Sequence, residues 1–549
     1  MYSLAGFQTN VTARLAYLLL ALLAGLLGSC GDSSSLDAVE LDPGQYRIDA
    51  EPLYTYQLFE LVLGASLIKG NPYTQGAALS AEFTGIKGEA AGQTVRVHGF
   101  WDGVNTWRIR FSPAFSGSWR YMTHSEDALM NGLSGELTVT HAPADVKREN
   151  PLLGGFVKAK GAAWQLSDGS RFFPVGDSQW SLLEEYSLDE IKAWLDVLKA
   201  RNLNTVHGTV WLAKYTRSGE APFKKRDAKG DRLNLMYFRQ LDEMIRYANS
   251  KGIIPGLAIG GFPDNSRWYK QFKNQAQHDR WFRYIIDRYS AFNVRWLLFG
   301  EINEVAPPWL ESWQDASAYY AALVKQRDPY KHPLGSHHTR VDAVAAVNAD
   351  VDYIEVQMTR NENQYRQLMD YRQWSKPLWV EEYWYAPRAY DNDIKIGIRN
   401  THQNFISALA FPTMGGLMRA HSNHPDFVPD QAHSHAMSLQ DYLLEYDVGL
   451  KRLSEFKAFY NKLALEEFEP WPQGCDRRFC ARFGTDYVFF MVDGGEIEID
   501  LSEVSGEFSA HGLDVHAGNV IDYGRLEAGD KRRIHTGLLR DTALILRRE

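Results

Sequence analysis

Residues 296–304 read Trp296-Leu297-Leu298-Phe299-Gly300-Glu301-Ile302-Asn303-Glu304, a run without a polar side chain until it meets a glycine and then acids. An unbroken apolar run of this length is the mark of a strand buried on both faces, as parallel strands are when helices cover the sheet. A second run, Pro377-Leu378-Trp379-Val380-Glu381-Glu382-Tyr383-Trp384, passes from apolar residues to carboxylates in the same way.

Working outward, strand-like runs alternate with helix-like stripes. Strands are expected at Phe172–Gly176, Thr205–Thr209, Ile253–Ala258, Val294–Phe299, Pro333–His337, Tyr353–Gln357, Leu378–Val380 and Thr413–Met418. Ser187 and Glu190 form a capping box ahead of one apolar stripe, Leu188, Ile191, Trp194, Leu195 and Leu198. Further stripes lie at Phe238, Leu241, Met244 and Ile245, with Gly252 as a stop, and at Trp281, Tyr284 and Ile285. A last helix is expected near Leu453–Leu463. Eight such units predict a central (β/α)8 TIM barrel over residues 150–463, and no glycine-rich phosphate turn points to a nucleotide fold.

On either side the periodicity changes to short alternating segments broken by Gly, Pro and Asn, which predicts β-sandwiches at residues 38–145 and 464–549. In the first of these Trp107, Ile109 and Phe111 share one strand face, as do Trp119 and Tyr121. The fold class is therefore mixed: an N-terminal β-sandwich, the barrel and a C-terminal β-sandwich.

The net charge of −9 argues against a nucleic-acid partner. Sixteen tryptophans suit either β-rich cores or platforms for sugar rings. Arg14 precedes an apolar run, Leu15–Leu27, too short to span a bilayer as a mature helix. It ends in Leu27-Gly28-Ser29-Cys30, which resembles a bacterial lipobox. That likeness implies a signal peptide at 1–29, acylation of Cys30, a tether at 30–37, and attachment to the cell-envelope bilayer, at the outer membrane or facing the periplasm. Cys475 and Cys480 remain as a pair for a disulfide, or as two free thiols. No metal or cofactor is expected. The loop holding Arg419, His421, Asn423, His424, Asp426, Asp430, His433 and His435 follows no fixed ligand spacing.

In a barrel the reactive groups sit at the C-terminal ends of the strands. The fourth strand offers Glu301, with Asn303 and the rival Glu304 beyond it, and the seventh offers Glu381 and Glu382. Side chains alternate along a strand, so Glu381 and Glu382 are not expected to share the mouth. Two opposed carboxyls are what cleavage of a glycosidic bond requires. Other strand ends supply candidate substrate contacts: Asp177 and Trp180, His207 and Trp211, His337 and His338, Gln357, and Trp384. No G-x-S-x-G elbow, H-E-x-x-H zinc site or GK[ST] loop is present.

Three segments carry a family resemblance: Gly99-Phe100-Trp101-Asp102-Gly103, then Thr106-Trp107-Arg108-Ile109-Arg110-Phe111-Ser112-Pro113, then Gly117-Ser118-Trp119-Arg120-Tyr121. In order and spacing they resemble the immunoglobulin-like domain that precedes the barrel in the apiosidase-like glycoside hydrolases. Gly176-Asp177-Ser178-Gln179-Trp180 resembles the first-strand element of the same families. Glu301, five residues after Trp296, and Glu382, five after Pro377, stand where retaining barrel glycosidases carry the acid/base and the nucleophile. Phe299-Gly300 departs from the family's usual residues before the acid.

The resemblance implies O-glycosyl hydrolysis of a complex plant or algal polysaccharide or oligosaccharide by a retaining double displacement, with Glu301 as acid/base and Glu382 as nucleophile. Two other readings stay open: a non-catalytic surface glycan-binding lipoprotein, and a polysaccharide lyase with a Tyr/His or metal-centred site.

Overall fold

The computed structural model describes residues 40–49, 53–178, 182–211, 221–224, 230–261, 268–304, 306–338, 343–344, 347–357, 364–382, 404–411, 415–418, 439–477 and 479–549. Its centre is a ring of eight parallel strands: Val175–Ser178, Thr205–Thr209, Ile254–Ala258, Arg295–Leu297, Leu334–Gly335 continuing as His337–His338, Ile354–Gln357, Leu378–Glu382 and Gly415–Met418. The eighth strand pairs with the first, and pairing runs on in sequence order to the seventh, which lies beside the eighth. The fifth strand breaks at Ser336, so its first half pairs back to the fourth strand and its second half forward to the sixth.

The apolar stripes become the inner faces of the surrounding helices. In Leu188–Ala200 both halves of the capping box form, with Glu190 Oε2 accepting from Ser187 N at 2.9 Å, and Ile191, Trp194, Leu195 and Leu198 are buried. Helices Leu235–Ser250, Gln275–Tyr289 and Trp313–Arg327 follow the second, third and fourth strands. The last helix, Leu439–Tyr460, begins well before the expected Leu453. Gly449 lies buried inside this helix, where packing overrides its poor helix propensity.

A hairpin absent from the sequence reading, Val157–Lys160 with Ala163–Leu166, closes the end of the barrel where the strands begin. Its Trp164 packs against Tyr353 and Trp379, with ring centroids at 5.1 and 6.0 Å. Water is thereby kept from the barrel floor, and chemistry is left to the opposite end.

Before the barrel, a four-stranded and a five-stranded sheet pack face to face. Phe83 stacks on Phe111 at 3.9 Å, and Trp119 and Tyr121 complete the core. Strand Thr106–Phe111 turns Trp107, Ile109 and Phe111 into that core, as its alternation requires. Its other face carries Arg108 and Arg110, and this face is buried too. Arg110 reaches Glu60 within the sheet and Asp242 on a barrel helix, while Arg288 on the next helix bridges Asp242 and Asp102. Each buried charge meets opposite charge, the condition under which such burial is tolerable.

After the barrel come a six-stranded sheet and a two-stranded sheet around Phe489, Ile497, Phe508 and Leu544. Cys475 and Cys480 are joined by a disulfide, with Cα atoms 6.6 Å apart. Among the described residues no helix is long and apolar enough to cross a membrane.

Candidate active site

The barrel interior is polar at mid-height. Arg295 on the fourth strand pairs with Glu355 on the sixth at 3.0 Å, and both are buried. The Arg295 guanidinium lies 3.7 Å from the centre of the Trp379 ring and donates from Nη2 to His207 Nδ1 at 2.7 Å. That bond requires the imidazole proton on Nε2. The Tyr353 hydroxyl accepts from Arg295 Nη1 at 2.8 Å and lies 2.9 Å from Glu355 Oε2. His337 Nδ1 stands 3.5 Å from Glu355 Oε1. Burial, reinforced by Arg295 and His337, drives the His207 pKa far below the ordinary histidine value. The ring is therefore neutral, and one cation faces one acid in a closed space.

Above this layer the strand ends open into the mouth. Asp177 on the first strand is buried. The fourth strand is followed by Leu298 and Phe299, both buried, and by Gly300, whose N–H donates to Gly261 O at 2.9 Å. The chain then turns sharply. Glu301 has φ +50°, a left-handed conformation, and its carbonyl accepts from Glu304 N at 2.9 Å. Such a conformation costs a non-glycine residue roughly 1–2 kcal/mol, a strain that concentrates at functional sites. Ile302 is fully buried and anchors the turn. Glu301 and Asn303 are half-buried, whereas Glu304 is exposed and accepts from Asn303 Nδ2 at 3.1 Å.

The seventh strand contains an irregularity where it mattered for the sequence reading. Val356 pairs with Val380 but Gln357 pairs with Glu382, so Glu381 is an extra residue in the ladder. A bulge of this kind suspends strict alternation. The alternation argument that would separate Glu381 from Glu382 therefore does not hold at this bulge. Glu382 ends the strand, and it and Gln357 are adjacent along the ladder, with their side chains outside the described residues.

Three of the expected sugar contacts, His207, Trp211 and His338, lie in buried positions. His207 belongs to the charged layer below the mouth, because the Arg295 guanidinium holds its ring there. Trp211 is buried among Trp268 at 5.4 Å and Phe223 at 5.7 Å. His338 is also buried, 5.9 Å from the Trp313 ring, and burial with the nearby His337 holds its pKa at about 3. Trp180, Trp384, Cys30 and the 419–435 loop lie outside the described residues.

Arg295 and Glu355 were missed, yet each leaves a signal: a charge inside a strand apolar on both sides, Val294-Arg295-Trp296 and Ile354-Glu355-Val356. A charge there must be paired. Among the described residues no group of three or more His, Cys, Asp and Glu is arranged to hold a metal ion.

A closed parallel barrel, sealed at one end and with acidic residues at the C-terminal ends of its fourth and seventh strands, is a scaffold that glycoside hydrolases share with other enzymes. Residues 160–408 match the family described as Apiosidase-like, catalytic domain, and residues 53–126 match a domain of unknown function, DUF5060. The central region of the chain thus resembles an apiosidase-like catalytic domain.

Among solved structures, the chain is similar to a candidate glycoside hydrolase from Bacteroides vulgatus ATCC 8482, at 21% identity and a TM-score of 0.69. The similarity covers 90% of this chain and 99% of the other. A glycoside hydrolase family 5 protein from the same organism aligns at 17% identity and a TM-score of 0.58, over 72% of this chain and 94% of its own. At these identities the likeness speaks for the fold. No curated protein matches the chain.

Proposed function

We propose that the protein is a glycosidase that hydrolyses O-glycosyl bonds in a complex plant or algal polysaccharide or oligosaccharide. Glu301 is the acid/base and Glu382 the nucleophile of a retaining double displacement. The observation that carries this reading is the turn at the end of the fourth strand, which spends backbone strain on Glu301 and leaves it half-buried while Glu304 is exposed.

In the first step the Glu301 carboxyl gives its proton to the leaving oxygen while a Glu382 carboxylate oxygen bonds to the anomeric carbon, and the aglycone departs as an alcohol. In the second, Glu301 takes a proton from water as the water oxygen displaces Glu382, returning a sugar of unchanged configuration. This sequence suits carboxyl groups about 5–5.5 Å apart. In this reading Asp177 and Asn303 hold sugar hydroxyls, and Trp180 and Trp384 supply stacking surfaces. Below them, the Arg295–Glu355 ion pair and the neutral His207 ring form a buried polar layer. The enzyme works at the bacterial cell envelope, tethered by an acylated Cys30.

The test is a screen of residues 31–549 against plant and marine polysaccharides, with Glu301→Gln, Glu304→Gln and Glu382→Gln beside it. Loss of about 10²-fold or more is expected at Glu301 and Glu382, with near-normal activity at Glu304. Hydrolysis surviving both Glu301→Gln and Glu382→Gln overturns the assignment. Glycan binding by a wild-type protein that cleaves nothing would favour the non-catalytic glycan-binding reading.

A further inference from the structure

Away from the barrel mouth, a cleft of about 640 Å³ opens between the N-terminal sheets and helices Gln275–Tyr289 and Trp313–Arg327. None of the candidate catalytic or sugar-contact residues lines it. In a chain whose net charge is −9, its walls carry four arginines, Arg96, Arg280, Arg283 and Arg327, against two acids, Glu126 and Asp287.

Asp287 is already engaged by Arg327 through two bonds of 2.6 and 2.7 Å. Arg280 lies 3.4 Å from Asp231 and over the Tyr73 ring. The other two cations have no such partner. Arg96 donates only to Ser80 Oγ, at 3.1 Å, and Arg283 makes no hydrogen bond or ion pair among the described residues; both are exposed.

The remainder of the lining is aromatic and polar. Trp101 and Trp107 line the cleft beside Tyr73. Tyr73 is 8% exposed, and its hydroxyl has no hydrogen-bond partner among the described residues. His98 lines the same wall, and burial with the fields of Arg327 and Arg96 holds its pKa at about 4, so it offers a neutral ring to a polar ligand.

We infer that this cleft is a second carbohydrate site, which takes sugars bearing carboxylate or sulfate groups and holds an acidic polysaccharide while the barrel works on it. Planar guanidinium groups suit carboxylate and sulfate oxygens, and the half-buried Trp101 indole suits the apolar face of a sugar ring. The inference rests on the glycosidase reading for its ligand class but uses none of the residues that perform the cleavage.

The test is equilibrium binding to the full chain, followed by tryptophan fluorescence. The probes are a galacturonate oligosaccharide, its fully methyl-esterified form, and a sulfated galactan oligosaccharide of equal length. At least one charged probe is expected to bind about tenfold or more tighter than the ester, with an affinity that falls as salt rises. Its being the carboxylated or the sulfated one names the group recognised.

The double variant Arg96→Gln/Arg283→Gln is expected to lose about tenfold for that probe and nothing for the ester. Equal binding of charged and esterified sugars, or full affinity in the double variant, overturns the proposal. Hydrolysis assays keep the two readings apart. If the arginine variant binds normally while Glu301→Gln and Glu382→Gln are inactive, only the second site falls. If the arginine variant loses binding while the glutamate variants still cleave, only the catalytic assignment falls.

Discussion

Arg110, on a strand of the N-terminal sandwich, grips Asp242, on a barrel helix, through two parallel hydrogen bonds of 2.6 and 3.2 Å. Arg288 approaches the same carboxylate at 2.7 Å. This buried junction ties the sandwich to the barrel. Removing its shared acid leaves two guanidinium groups short of counter-charge in a place water does not reach. Asp242→Ala is expected to cost about 3 kcal/mol, with Glu60 and Asp102 still present to limit the damage. Denaturant midpoints and slopes measure this; a cost under about 1 kcal/mol would show that the junction is not a stabilising tie.

Stability is expected to fall with acid in two stages. Burial holds His278 at about 3, and burial with the field of His337 holds His338 at about 3. Both stay neutral when folded and gain a proton when unfolded below about 6.5, so stability declines as pH drops through that value. A steeper stage follows below about 4. Burial alone would raise Glu60, but Arg110, Arg108 and Arg246 outweigh it and hold the carboxyl at about 2. Asp328, likewise buried, is brought to about 2 by His332 and Trp296. Carboxyls depressed in this way favour the folded state above their unfolded values and lose that contribution as pH falls toward 2. Urea midpoints collected from pH 7 to 3 check the shape; a profile flat down to about pH 4 would contradict the histidine stage.

The barrel floor gives a separate test of packing. Trp164→Ala is expected to cost about 3–5 kcal/mol, because it opens a hole against Tyr353 and Trp379 that rigid strands cannot close. Since this end is opposite the mouth, KM for any substrate found should stay within about twofold of wild type while the melting temperature falls. A large change in KM with unchanged melting would mean that Trp164 serves the substrate.

Lipid attachment makes its own prediction. Cys30→Ala is expected to move the protein from the membrane fraction to the soluble fraction and to abolish incorporation of labelled fatty acid. A variant that still sedimented with membranes would refute the anchor.

How far a sequence can be read depends on whether the deciding force is local. The eight barrel strands and the stripe Ile191, Trp194, Leu195 and Leu198 were legible because periodicity records which side of an element faces water. The chemistry at the strand ends was legible only as choices: Glu301 or Glu304, Glu381 or Glu382. Separating Glu301 from Glu304 by exposure needed a backbone turn, with φ +50° at Glu301 and buried Ile302 behind it. The bulge at Glu381 arises from pairing with another strand, so no pattern within the seventh strand could announce it.

By itself, then, the sequence determined the order of strands and helices, the core of each sheet and the pair of strand ends where acids stand, because alternation and helical stripes are short-range properties of the chain. Only the tertiary structure decided what covers Arg108 and Arg110. Their alternation placed them opposite the sandwich core, on a face that reads as solvent, but that face meets Asp242, 132 residues further along, and a barrel helix turns an apparently wet edge into a buried ionic junction. The same holds for Arg295, Glu355 and His207. Three separate strands bring them within hydrogen-bond or ion-pair distance of one another, and burial there keeps the His207 ring neutral, a balance that exists only once the ring of strands is closed.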